Sequence, residues 1–163
     1  MSSQQAARSS SRRSSLASLD DVAVVEGQRT FSAAPERVFA LLTDPDVIAS
    51  AMPAVRGHTV LSEDRWEAKV KPPLPFAPSV TIHFEVLDRR SPEHAALRAH
   101  GAGADVTSTF DLTAVDGGTL MRWRTELHFS GLLARFGGHG LEPVAHRQAT
   151  RTLDAVERAL ERS

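Results

Sequence analysis

The chain of 163 residues contains no cysteine and no tyrosine. The missing cysteines exclude disulfides, thiolate nucleophiles and cysteine-ligated metals, an absence that fits a reducing compartment. No apolar run approaches the roughly 20 residues that a transmembrane helix needs, so no spanning segment is expected, whereas contact with a membrane surface stays open. The 19 basic residues are balanced by 20 acidic ones, and no basic stripe with interleaved aromatics is present, which disfavours nucleic-acid binding.

The pattern of a catalytic or metal site is also missing. The histidines are scattered without the close helical spacing of metal ligands, and His83, His100 and His128 fall on outward strand positions. Only His139 and His146, near the start of the last helix, are expected to approach a cavity mouth. The strands contain no clear inward-facing Asp, Glu or Arg, and general acid–base catalysis requires a titratable group within reach of the substrate. We therefore predict no catalytic residue, no metal and no cofactor.

The first 19 residues differ in composition from the rest of the chain. They are rich in serine and alanine, include Arg8, Arg12 and Arg13, and contain no acidic residue. We predict a disordered tail over residues 1–20 and a single domain over residues 21–163. The composition also fits an organellar transit peptide, a kinase substrate or a weak contact with anionic lipid, whereas a secretory signal would need a continuous apolar core.

The segment Phe31–Pro45 predicts the end of a strand, a short helix and a stop. Pro35 suits the first helical turn, where its missing N–H is harmless. Pro45 disfavours a helical conformation at Asp44 and so ends the element. A second short helix is predicted over Asp46–Met52.

Apolar and polar residues alternate over most of the stretch from Pro53 to Gly131, as in antiparallel strands with one dry face and one wet face. The sequence Asp116-Gly117-Gly118 lies between two such runs and predicts a tight hairpin. The sheet is therefore expected to be largely a meander. The inward positions are Trp66, Ala68, Val70, Val80, Ile82, Phe84, Val86, Val106, Ser108, Phe110, Leu112, Met121, Trp123, Thr125, Leu127 and Phe129.

The last segment changes to a helical period and predicts a long amphipathic helix. We place Pro143 in its first turn and expect Gly137, Gly138 and Gly140 to interrupt a preceding helical stretch over residues 132–136. The dry face of the sheet and the apolar face of the helix are both buried if the sheet wraps around the helix. The apolar positions of this helix are Leu141, Ala145, Ala149, Leu153, Val156 and Leu160.

Several segments between Glu26 and Leu160 are typical of one family. They are Gly27, Ala34–Phe39, Leu42–Pro45, Met52–Pro53, Gly101–Gly103, Gly118–Trp123 and Ser130–Gly137. These segments resemble the SRPBCC or START-like helix-grip superfamily, and within it the CoxG-like group of carbon monoxide dehydrogenase proteins. Pro53-Ala54 replaces the Pro-Gly of that group, and Pro72–Pro78 replaces its glycine-centred segment. The fold implied is an α+β helix-grip (START-like) fold: a curved antiparallel sheet of about six to seven strands around a long C-terminal helix, with two short helices after the first strand.

The resemblance implies a cavity between sheet and long helix that holds a lipid, a polyketide or a quinone. CoxG-like proteins are associated with bringing a molybdenum hydroxylase to the membrane and its quinone pool, which implies a redox enzyme partner and a cytoplasmic location at the inner face of the membrane. An enzyme of the polyketide cyclase or aromatase type, found in the same superfamily, is the alternative.

The dry faces of sheet and helix supply the candidate cavity-lining residues. The proline run Pro72–Pro78 predicts a stiff loop at the rim, with Phe76 as a candidate lid, and its PxxP spacing also fits docking to an aromatic groove. The same apolar side chains could equally fill an ordinary core. The candidates are Val38, Phe39, Leu42, Met52, Trp66, Ile82, Phe84, Ser108, Phe110, Met121, Trp123, Thr125, Leu127, Val144 and Gln148.

Overall fold

The computed structural model describes residues 22–71, 75–131 and 137–162, with the backbone alone at 137–140. The predicted tail over residues 1–20 and the predicted helical stretch over 132–136 lie outside the described residues. The described residues form seven strands and three helices. In chain order these are β1 Val22–Phe31, α1 Pro35–Leu42, α2 Pro45–Ser50, β2 Val55–Ser62, β3 Arg65–Val70, β4 Val80–Arg90, β5 His94–Gly101, β6 Ala104–Val115, β7 Gly118–Phe129 and α3 Gly137–Arg162.

The strands form one curved antiparallel sheet in the order β1-β7-β6-β5-β4-β3-β2. Consecutive strands from β2 to β7 are neighbours, which confirms the predicted meander, and β1 closes the order by pairing with β7. The β6–β7 hairpin turns at Asp116-Gly117, where Gly117 has a φ of 80°. The β5–β6 hairpin needs positive φ at Gly101, Ala102 and Gly103, which explains the two glycines there.

The two short helices form as their prolines predict. Pro35 occupies the first turn of α1, and the hydroxyl of Thr43 donates to the carbonyl oxygen of Phe39 at 3.0 Å, where α1 ends. Asp44 is extended, with φ −88° and ψ 116°, and its carboxylate accepts a hydrogen bond from the backbone N–H of Asp46 at 2.9 Å. Asp44 therefore caps α2, which begins at Pro45 and ends at Ser50, two residues before the predicted end.

The start of the long helix differs from the prediction. α3 begins at Gly137, so Gly137, Gly138 and Gly140 belong to the long helix itself, and Pro143 lies inside it and not in its first turn. Glycine costs a helix about 1 kcal/mol and still permits helical dihedral angles. The remainder of α3 is held by packing on the sheet, and this tertiary contact outweighs the weak local propensity.

The core lies between the sheet, α1 and the C-terminal half of α3. Arg29 of β1 ties the two layers together, since its Nη2 donates to Asp154 at 2.8 Å and to Glu157 at 2.5 Å. Partial burial opposes the charge of Arg29, but the hydrogen bonds to both carboxylates outweigh it and raise its pKa. The buried core residues are Phe31, Val38, Phe39, Leu42, Ala95, Phe110, Leu112, Met121, Leu153 and Val156.

Candidate functional site

A cavity of about 360 Å³ lies between the sheet and α3. Its walls come from β3 to β7, while Leu42 of α1 and Ile48 and Met52 of the α2 region contribute from one end. Ala145, Ala149 and other residues of α3 line the side opposite the sheet. A cavity of this size and mostly apolar lining is typical of small-molecule sites.

Most of the candidate residues predicted from the sequence lie in the cavity wall. They reach it because inward positions on neighbouring strands are brought side by side by the antiparallel register. Those in the wall are Leu42, Met52, Trp66, Ile82, Phe84, Ser108, Phe110, Met121, Trp123, Thr125, Leu127 and Gln148.

Three candidate residues lie elsewhere. Val38 and Phe39 are buried in the core beneath the cavity, where the ring of Phe39 meets the ring of Phe110 edge-on at 5.8 Å. The short helix α1 packs these two side chains against the sheet and α3, and only its last residue, Leu42, reaches the cavity. Val144 is 51% exposed, because the residues of α3 that line the cavity are its neighbours Ala145, Gln148 and Ala149.

One wall strand, β5, contributes residues that are not among the sequence candidates. Leu97 and Ala99 line the cavity, and Ala95 lies in the core. These three residues alternate with polar or small residues along β5, so the period-two signal is present in the sequence. The side chains are small, however, and this makes the alternation weaker than that of β4 or β7.

Two hydroxyl groups meet on the sheet side of the cavity. Ser108 of β6 and Thr125 of β7 are directly paired in the register, and their hydroxyl oxygens are 2.9 Å apart. The amide of Gln148 on α3 donates to the carbonyl oxygen of Ala51 at 3.1 Å and to the hydroxyl of Thr152 at 3.4 Å. Gln148 therefore connects α3 to Ala51, the residue that follows α2. The Ser108–Thr125 pair, in contrast, is surrounded by other side chains of the cavity wall.

Aromatic side chains occupy both flanks of the cavity. Trp66 and Phe84, on paired positions of β3 and β4, stack with ring centroids 3.9 Å apart. Trp123 lies across β1 at Gly27, where an added Cβ would be 2.8 Å from the indole, so the glycine makes room for the ring. His146 of α3 is exposed, with its ring centroid 6.1 Å from that of Trp123.

Charged side chains of the wall strands are engaged on the opposite face of the sheet. Glu85, Arg98 and His100 belong to the strand segments that surround the cavity, but they alternate with the inward residues. Arg98 donates to Asp105 at 2.7 Å and to Glu85 at 3.4 Å, and the ring of His100 stacks on that of His83 at 5.3 Å. The described wall therefore offers hydroxyl and amide groups to a ligand, while Glu85 and Arg98 are held in ion pairs on the outer face.

A sequence model of one family matches residues 22–161, nearly the whole chain. That family is described as polyketide cyclase / dehydrase and lipid transport. The chain belongs to this family. A search of curated proteins found no match.

Solved structures share the fold of this family member. It is similar to a conserved protein from Geobacillus kaustophilus, with 19% identity, a TM-score of 0.74, and coverage of 86% of this chain and 96% of the other. It is similar to a START superfamily protein from Mycobacterium smegmatis, with 12% identity, a TM-score of 0.67, and coverage of 85% and 97%. It is also similar to the Zhui aromatase/cyclase from Streptomyces sp. R1128, with 19% identity, a TM-score of 0.65, and coverage of 86% and 94%. These likenesses establish a START-like fold, as the sequence resemblance implied.

The outer face of the sheet carries the strand histidines of this family member. His83 lies 3.6 Å from Glu67 across the β3–β4 pairing, and His128 lies 3.9 Å from Glu126 on its own strand. The structure thus places both histidines outward, as predicted. In the part of the chain that the structure describes, no group of three or more His, Asp or Glu side chains is arranged to hold a metal ion.

The ion pair between Arg98 and Asp105 predicts one pH effect on stability. The hydrogen bond from Arg98 lowers the pKa of Asp105 below its usual value, and the same bond raises the pKa of Arg98. An aspartate with a depressed folded-state pKa contributes stability above its unfolded pKa of about 3.9, and that stability is lost as the pH falls through the depressed value.

We therefore expect Asp105→Asn to lower the free energy of unfolding slightly at pH 6 and to have less effect near pH 2, measured by urea unfolding followed by tryptophan fluorescence. Asp116→Asn, in the β6–β7 turn, is the matched control, since no ion pair involves Asp116 within the described ranges. A deficit in Asp105→Asn that stays constant across this pH range would contradict the assignment.

The predicted lid residue is fully exposed. Phe76 does not line the cavity, and its φ of 63° places a bulky side chain in the left-handed region. Its role as a lid therefore stays a prediction.

Among the described helices, none combines the length and the apolar character that crossing a membrane requires.

Proposed function

We propose that this chain binds a hydrophobic small molecule, lipid-like or quinone-like, in the cavity between the sheet and α3, and that it does so without catalysing a reaction. The observation that carries the proposal is the apolar cavity of about 360 Å³ whose strand-borne charged side chains are engaged on the other face of the sheet. Membership of a family described by lipid transport as well as cyclase chemistry supports it.

A finer proposal concerns the partner of this binder. The segments that resemble the CoxG-like group support a role as an accessory or recruiting factor for a molybdenum hydroxylase of the carbon monoxide dehydrogenase type, at the cytoplasmic face of the membrane. Pro53-Ala54 and the proline run Pro72–Pro78 depart from that group. Neighbouring genes for molybdenum hydroxylase components would favour this role.

The second candidate function is that of a cyclase or aromatase. It is favoured by the family description and by the similarity in fold to an aromatase/cyclase. Such an enzyme needs a proton donor or acceptor within hydrogen-bond reach of the substrate. The described wall directs the side chains of Ser108, Thr125 and Gln148 into the cavity, and none of these side chains titrates near neutral pH. Of the titratable residues along the wall, Glu63 is exposed, and Glu85 and His100 alternate with the inward residues. Neighbouring polyketide synthase genes would favour this function.

Native mass spectrometry of the freshly purified full chain tests the proposed binding. We expect an adduct that is released on denaturation and that organic extraction recovers as a hydrophobic compound. Preparations that emerge empty are titrated with N-phenyl-1-naphthylamine, a neutral fluorescent probe, and saturable one-to-one binding is expected. Absence of both the adduct and saturable probe binding would overturn the proposal.

A further inference from the structure

Among the described strand residues whose side chains point into the cavity, Ser108 and Thr125 form a hydroxyl pair. The two residues lie on adjacent central strands, with Leu97 paired to Ser108 on one side and Val25 paired to Thr125 on the other. Val106, Phe110, Trp123 and Leu127 are the next inward residues along the same two strands. The pair is therefore a small polar spot within an apolar surface.

The hydroxyl pair has one proton that its mutual hydrogen bond does not use. Each hydroxyl carries one proton and can accept further hydrogen bonds. The 2.9 Å contact uses the proton of one hydroxyl, so the proton of the other is left for a third group. Strand carbonyls nearby are engaged in the β5–β6 and β6–β7 ladders. A ligand oxygen within the cavity is the natural acceptor for the spare proton.

Other polar groups on the facing helix are already engaged as donors. Gln148 donates through Nε2 to Ala51 and Thr152, and the hydroxyl of Thr152 donates to the carbonyl oxygen of Gln148 at 3.0 Å. A carboxylate placed against the hydroxyl pair would meet no uncommitted arginine around the described cavity, because Arg29 is paired with Asp154 and Glu157, Arg89 with Asp64, and Arg98 with Asp105 on the outer face. Burying an unpaired charge is costly, whereas a neutral carbonyl needs only one donor.

We infer that the Ser108–Thr125 pair anchors the ligand, and that the ligand buries a neutral oxygen acceptor, such as a ketone or quinone carbonyl, and not a carboxylate. This inference rests on the proposed function, because it assigns a ligand class to the same cavity. Either hydroxyl alone can supply the proton: when its partner is removed, the remaining hydroxyl is released from the mutual bond. The anchor is therefore lost only when both hydroxyls are removed.

The matched probes fluorenone and fluorene test the anchor, since they share size and shape and differ by a carbonyl in place of a methylene. Their dissociation constants are measured by equilibrium dialysis with the full chain and its variants. From wild type to the double variant Ser108→Ala/Thr125→Val, we expect the fluorenone affinity relative to fluorene to fall about fivefold, the value of one neutral hydrogen bond. Each single variant should keep the ratio within about twofold of wild type, because one donor remains.

The outcomes separate the anchor from the cavity itself. If wild type binds neither fluorenone nor fluorene, the anchor fails, and the proposed function is decided separately by the native adduct and the N-phenyl-1-naphthylamine titration. If both probes bind and the ratio is the same in wild type and in the double variant, the anchor alone is overturned. Fluorene-9-carboxylate is expected to bind at least about tenfold more weakly than fluorene, and equal binding would overturn the preference for a neutral ligand.

A second readout needs no variant and covers the case in which the double variant fails to fold. The infrared carbonyl band of fluorenone bound to wild type should lie at lower wavenumber than in hexane, because a donated hydrogen bond weakens the C=O bond. A band at the hexane position would overturn the anchor.

Discussion

Replacing Ala149 with tryptophan is expected to weaken the binding of N-phenyl-1-naphthylamine roughly 50-fold or more. Ala149 lies on the face of α3 that lines the cavity, and it is not among the buried core residues. An indole at this position would occupy space that the probe needs. If about 100 Å² of apolar probe surface stays in water, the loss is about 2.5 kcal/mol, which corresponds to about 70-fold in affinity. Fluorescence titration measures this directly.

Thr150→Trp is the matched control for this prediction. Thr150 is the next residue of the same helix and is exposed, so the same side chain is introduced on the solvent side. Probe affinity should stay within about twofold of wild type, because Thr150 does not line the cavity. The fold should also be retained, since surface substitutions rarely change stability by more than about 0.5 kcal/mol. Comparable weakening in both variants would mean that the probe does not bind in this cavity, and unchanged affinity in Ala149→Trp would have the same meaning.

The parts of the site that could be predicted are those where large side chains alternate along a strand. Trp66, Phe84 and Trp123 reach the wall because a strand turns successive side chains to opposite faces, and an aromatic residue makes that period easy to detect. Ser108 and Thr125 are predictable for the same reason, although their mutual hydrogen bond depends on the register between β6 and β7. Register is a pairwise property that one strand's sequence does not contain.

The candidates that do not line the cavity are Val38, Phe39 and Val144, and all three lie on helices. Tertiary contacts decide which side of a helix faces the cavity. Val38 and Phe39 have the apolar character of cavity residues, but the docking of α1 directs them into the core. Val144 is apolar and exposed, because the side of α3 that lines the cavity is the one that carries Ala145 and Ala149. The alternation on β5 is weak because alanine and glycine give little hydrophobic contrast.

The second large effect is expected at Gly118, the first residue of β7. A Cβ added at this position would overlap the carbonyl oxygen of Phe31 and lie 3.2 Å from the Cα of Ser32. Both are backbone atoms, so no side-chain rotation can relieve the overlap, and β1 must move away from β7. Phe31 is 1% exposed in the core, and the hydroxyl of Thr119 donates to the carbonyl oxygen of Ala33 at 2.6 Å. The displacement would disturb both contacts.

We therefore expect Gly118→Ala to lower the free energy of unfolding by about 3 kcal/mol, at the upper end of the range for overpacking, and the melting temperature by about 10 °C. Urea unfolding followed by tryptophan fluorescence and a thermal melt measure the two quantities. Gly57→Ala on the edge strand β2 is the control, because an added Cβ there meets nothing within 4 Å, and its effect should stay within about 0.5 kcal/mol.

The comparison between the two glycines tests why the hairpin sequence ends in two consecutive glycines. Gly117 has a φ of 80°, which explains a glycine in the turn itself. Gly118 has no such conformation, and the turn alone would accept a side chain there. If Gly118→Ala proved as stable as Gly57→Ala, β1 would not approach β7 as closely as the structure has it. The path from β1 into α1, which closes one end of the cavity, would then need revision.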